Sequence, residues 1–177
     1  MCCWGITALE SDNGLDAVRC VRYNLPADGQ LDLGEMLERL KKDRWNAPCD
    51  VKLGCAHTSP MALAEIVVKY LDGDPGSLDY DEEWAAEDNK FRSITSFTAS
   101  RASLRELRDY LADTLKYARI RAERQIKAGG WFDPKDWDGW QKHMEGLIHR
   151  LDGVLALEGS TLELAHPPAP TVPELTM

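Results

Sequence analysis

The 177-residue chain lacks any apolar run near the roughly 18–20 residues of a membrane-spanning helix, so no membrane span is expected. It opens without a charged-then-apolar leader, which predicts a cytoplasmic protein and no secretion. Positive charge is scarce: 21 Lys and Arg stand against 30 Asp and Glu, a net −9 with His neutral. That deficit removes the clustered bases that phosphate neutralisation needs. Neither nucleic acid nor an anionic membrane is expected as a partner. Cysteines are few and odd in number: Cys2, Cys3, Cys20, Cys49 and Cys55. Without a leader they read as reduced, mostly buried thiols and not as a disulfide framework. There is no Gly-rich phosphate loop, because Gly129-Gly130 follows a helical stretch and does not open one after a strand. Internal repeats are absent. A content of 44% hydrophobic and 29% charged residues excludes collagen-like and disordered chains and suffices for one core.

What is present is helical periodicity. Ser11-Asp12-Asn13-Gly14 supplies caps for a helix carrying Leu15, Val18 and Val21, ended by Leu25–Gly29. Asp32 and Glu35 have capping-box spacing ahead of the stripe Leu33, Met36, Leu37 and Leu40, which Trp45-Asn46-Ala47-Pro48 breaks. Residues 49–57 read as a loop or a short strand. Thr58-Ser59-Pro60 is a hydroxyl cap followed by Pro in the first turn, where no N–H is needed. The helix it starts is apolar over most of its circumference and is expected at the centre, with Asp72-Gly73 stopping it.

Ser100 or Ser103 starts a long helix with the stripe Leu104, Leu107, Leu111, Leu115, Ala118, Ala122 and Ile126, ended by Gly129-Gly130. Ser103 with Glu106 fits a capping box. Asp133-Pro134 starts the next, with Trp137, Trp140, Met144, Leu147, Leu151 and Val154. Two long amphipathic helices with a short connection are expected to pack antiparallel. The pattern dissolves after Glu158 into the Pro-rich run His166 to Pro173. The fold class expected is mainly α: a helical bundle with a long antiparallel C-terminal helix hairpin. Minor extended segments are expected near residues 3–8 and 91–97. One helical domain spans 1–158, and a Pro-rich tail or peripheral strap spans 159–177.

Residues 72–88 hold eight acids and no base: Asp72, Asp74, Asp79, Asp81, Glu82, Glu83, Glu87 and Asp88. The Asp72–Glu83 loop superficially tracks a calcium loop, with Asp72, Asp74 and Glu83 at the first, third and twelfth positions. Yet Gly76 stands where a side-chain oxygen is wanted, and Ser77 where the sharp turn needs Gly. The plainer reading is an acidic loop and helix start, with carboxylates favoured at the positive end of the helix dipole. The segment either lies against the helix 101–127, which holds eight bases and four acids, or stays open to a basic partner.

Cys2, freed by removal of Met1, is a candidate nucleophile with its own amine as base, but hydrolases of that type need a layered sheet that these patterns do not supply. Cys49, Cys55 and His57 lack the close pair and the fourth ligand of a zinc site. His143 and His149, six apart, do not share a helix face. The six Trp read first as core and hinge packing. The functional alternative is an exposed cluster of Trp131, Phe132, Trp137 and Trp140 at the hairpin tip.

Trp4-Gly5 and the run Ser11-Asp12-Asn13-Gly14-Leu15-Asp16 resemble the N-terminal motif of a family of small bacterial cytosolic proteins of unknown function, over about the first 25 residues. Many relatives carry Gly where this chain has Cys2, which weakens a nucleophile role. The resemblance implies a small soluble bacterial protein and brings no catalytic residues. Read physically, Trp4 anchors the terminus in the core, Gly5 lets the backbone pass close, and Ser11 or Asp12 caps the first helix.

Together these readings favour a non-catalytic acidic protein-binding module of immunity or regulatory type. Its candidate partner-binding residues are Asp79, Asp81, Glu82, Glu83, Trp84, Trp131 and Trp137. No cofactor, metal or catalytic residue is assigned. The alternatives are a hydrolase using Cys2, a divalent-metal-binding protein using the Asp72–Glu83 loop, and a homo-oligomer joined through the Trp-rich tip.

Overall fold

Ser11 sets the first helix. Its Oγ donates to the Ala8 carbonyl at 2.7 Å and accepts from Gly14 N at 3.1 Å, capping α1 (Asp12–Tyr23) against the 3-10 turn Ala8–Glu10. A Cβ on Gly14 would lie 1.7 Å from the Ala8 carbonyl oxygen, so only glycine lets turn and helix approach this closely. The computed structural model describes residues 3–53, 58–80, 90–127 and 129–165.

Asp32 Oδ1 accepts from Glu35 N at 2.9 Å and caps α2 (Leu33–Lys42), whose last turn places Arg39, Lys41 and Lys42 at the negative helix end. α3 (Ser59–Leu71) starts with Pro60 in its first turn and buries every residue from Ser59 to Val67. It packs against α1, α4 and α5, the central place that its all-round apolarity predicts. Ser100 caps α4 (Arg101–Glu123) by accepting from Ser103 N at 3.1 Å, while Glu106 turns to Lys41. Pro134 opens α5 (Pro134–Leu155). The chain is mainly helical.

A small sheet completes the core. Its strands are β1 (Gln30–Asp32), β2 (Ser96–Ser100) and β3 (Thr161–Glu163), in that spatial order. β1 runs parallel to β2 with Leu31 opposite Phe97, and β3 runs antiparallel to β2 with Leu162 opposite Ala99. Those four side chains are buried, and β1 and β2 each lead directly into a helix.

Several expectations shift. Thr161–Glu163, placed in the tail by the sequence pattern, is β3, and Leu164 N–H donates to the Phe97 carbonyl at 2.7 Å. Three residues with one buried side chain are too short for a period to register. The Pro-rich run from His166 lies outside the described residues. α4 ends at Glu123 and not at Gly129. Gln125 takes φ 52°, while Gln125 N bonds Ala122 O and Ile126 N bonds Arg121 O, a Schellman closure with Gln at the position that usually takes Gly. Ile126 is therefore 63% exposed and leaves the stripe. Trp4 is 55% exposed and does not anchor the terminus. Ala8, fully buried, and the Gly5 carbonyl, which accepts from Trp131 Nε1 at 3.0 Å, do so instead. The segments near 3–8 and 91–97 are mostly turns, since Phe91–Ser93 is a 3-10 turn and β2 begins only at Ser96.

Candidate functional site

Asp79 is buried. Its Oδ1 accepts from Phe91 N at 2.8 Å and its Oδ2 from Arg92 N at 3.1 Å. The carboxylate thus closes a backbone loop and is buried, which corrects its reading as part of an open acidic face. Asp81, Glu82, Glu83 and Trp84 lie outside the described residues, as do Cys2, Cys55 and His57. Asp72 pairs with Arg150 on α5 at 2.6 Å, and Asp74 with Lys69 at 3.5 Å. Two bases of α4 reach side chains of α5 as well: Arg108 Nε meets Asp152 at 3.0 Å, and Arg119 meets Gln141 at 2.8 Å and Glu145. Among the described residues the acidic segment therefore pairs with α3 and α5, not with α4. No group of three or more His, Cys, Asp or Glu converges among the described residues.

The aromatic cluster around the start of α5 is a stack. Trp131 lies 5.7 Å from Trp140, Trp140 lies 5.7 Å from Trp137, and Trp137 lies 5.1 Å from Phe132, all near-parallel. Its inner members are core: Trp131 is only 7% exposed and spends its N–H on Gly5. Trp131 is thus a core ring, which corrects its reading as part of an exposed cluster, whereas Trp137 and Phe132 remain half-buried at the outer end. The structure does not bring Asp79 and Trp131 to one surface patch.

Two sites were not singled out by sequence. The first is Glu65, the one acid inside α3. Both its oxygens accept from Ala8 N, at 2.8 and 3.1 Å, and His143 Nε2 lies 3.0 Å from Oε1. Burial pushes the Glu65 carboxyl above its usual range, against the opposing pull of His143 and the Ala8 amide. The signal was a lone carboxylate within an all-apolar stretch, since a buried acid needs donors around it.

The second is a groove. Tyr23, the last residue of α1, is 72% exposed, and Trp45, just past α2, is 74% exposed. Both line one groove with Asp16, Arg19, Cys20 and Asp43. Asp43 Oδ1 accepts from Trp45 N, Asn46 N and Asn46 Nδ2, each at 2.9 Å, which fixes the turn that holds Trp45 out. Burial works against the Asp43 carboxylate, but those hydrogen bonds prevail and hold it below the usual range. The Arg44 guanidinium sits 5.1 Å from the Trp45 ring centre. Cys20 is pushed up to about 11 by burial, then by the charge and hydrogen bond of Asp43, so it is a poor nucleophile at neutral pH. The sequence reading places Trp45 in a helix-breaking turn and, with the other Trp, in core and hinge packing; at 74% exposed it is not core, because exposure of an aromatic depends on what packs above it.

Among the described residues no helix is long and apolar enough to cross a membrane. No family model, no curated protein and no solved structure matches the chain.

Proposed function

We propose that the protein is a non-catalytic module that binds a basic protein partner through the groove between Tyr23 and Trp45. The observation that carries this reading is the pair itself: two large aromatic side chains, each more than two-thirds exposed, share one groove beside Arg19 and Arg44. Trp, Tyr and Arg are the residue types that dominate interface energies. The Asp43 turn holds Trp45 in place before contact, which lowers the ordering cost of binding. A net charge of −9 speeds encounter with a positively charged partner and disfavours acidic ones. An immunity or regulatory setting in a bacterial cytoplasm is the biology that this reading implies, in keeping with the resemblance of the N-terminal motif.

The scaffold belongs to the same proposal. We infer that α4 and α5 form the long antiparallel hairpin. The pairs Arg101–Gly159, Arg108–Asp152 and Arg119–Glu145 support it, since position rises along α4 as it falls beyond and along α5.

The experiment is site-specific photo-crosslinking in the native cell, with the reactive residue placed at Trp45. A single basic protein is expected in the adduct, lost on Tyr23→Ala and diminished as salt is raised. An adduct that survives Tyr23→Ala, or none at Trp45, overturns the reading.

A further inference from the structure

We propose that the groove beside Trp137 and Phe132 docks the proline-rich C-terminal segment of a second copy of this chain. The groove holds about 430 Å³ and is lined by Ala122, Gln125, Lys127, Phe132, Pro134 and Trp137. It shares no residue with the Tyr23–Trp45 groove. One wall is the flat pair of Phe132 and Trp137, whose ring centres are 5.1 Å apart.

The occupant follows from the sequence beyond Ala165. Pro167, Pro170 and Pro173 recur at every third position, and Glu174 follows. In a polyproline II helix, with three residues per turn, that spacing would put the three rings on one face. Aromatic-lined grooves recognise this shape, because a polyproline II ligand is preformed and loses little entropy on docking. Prolines have no N–H to spend, so the carbonyls of the segment need donors, which Gln125 and Lys127 supply. Lys127 also suits Glu174.

Reach decides between the chain's own segment and a second copy's. Arg101 Nε bonds the Gly159 carbonyl, and Leu164 bonds Phe97, so the end of the described chain sits by the start of α4. Ala122 lies 21 residues further along α4, about 31 Å at the helical rise. Pro170 reaches at most about 18 Å from Ala165, and Pro173 at most about 28 Å. The three prolines cannot lie together in their own groove. Two copies can exchange segments reciprocally, which closes as a dimer.

The test compares the full chain with its variant P167A/P170A/P173A by sedimentation velocity over a wide concentration range. A labelled peptide of residues 165–177 is also titrated onto that variant, whose own segment no longer competes. The expected results are a concentration-dependent dimer for the full chain, a monomer for the variant, and peptide binding that Lys127→Glu weakens about fivefold or more. Equal dimerisation of both chains overturns the proposal, as does failure of the peptide to bind or indifference to Lys127→Glu. A full chain that stays monomeric while the peptide binds also overturns it, since the groove then serves a proline-rich segment of another protein.

Discussion

His143 Nε2 on α5 lies 3.0 Å from Glu65 Oε1 on α3, and the same carboxylate holds the Ala8 amide of the N-terminal turn. Three elements therefore meet at one buried acid, with Glu10 the nearby like charge that opposes its ionisation. Because burial raises the Glu65 carboxyl in the folded protein, folding favours its protonated form. Its contribution to stability is greatest at low pH and falls as pH rises from its ordinary value through its raised one. Glu65→Gln keeps an acceptor for Ala8 N–H without the charge. Its stability relative to the parent should therefore grow with pH from about 4.5 upward, as read by urea unfolding at several pH values. Glu65→Ala strands the amide and should cost about 1–3 kcal/mol. A Gln variant that loses ground as pH rises would contradict this account.

Gly14 is required by space, not by an unusual backbone. Gly14→Ala drives a methyl into the Ala8 carbonyl and should cost about 1–3 kcal/mol or more, together with the seating of the first turn. Gly146, inside α5 with nothing within 4 Å of a Cβ, is the control: Gly146→Ala should stabilise by about 0.5–1 kcal/mol. Thermal unfolding of the two variants should move in opposite directions.

Gln125 occupies the left-handed position that ends α4, at φ 52°. Glycine carries no Cβ penalty there, so Gln125→Gly should stabilise by about 0.5–1 kcal/mol despite the added freedom of the unfolded chain. Equal or lower stability in chemical denaturation would mean that the helix does not end there.

Trp131 and Trp45 should separate by stability. Trp131→Ala opens a cavity in the core, leaves the Gly5 carbonyl without its donor, and should cost about 3–5 kcal/mol. Trp45→Ala should change stability by no more than about 0.5 kcal/mol, since its ring faces solvent. Denaturant midpoints measured side by side decide the matter.

Much of the helical frame was legible because caps and stripes are local. Ser11, Asp32, Pro60, Ser100 and Pro134 mark the five α-helix starts among the described residues where the pattern put them. The end of α4 was not legible, since a Gln in a glycine's place leaves no signal in composition. β3 escaped because its strand identity comes from pairing with β2 across about 60 residues of chain. The site was least legible. Asp79 looks like any other acid in an acidic run until the amides of Phe91 and Arg92 close on it. Trp131 and Trp45 are alike as residues, and only packing makes one a core ring and the other a surface ring.

The central claim is that Tyr23 and Trp45 together form a binding surface. The most direct measurement is calorimetric titration of the crosslinked partner onto the parent chain, Tyr23→Ala and Trp45→Ala, with melting temperatures recorded alongside. The account expects each variant to bind about tenfold or more weakly while melting within a degree or two of the parent. Unchanged affinity in both variants would contradict it.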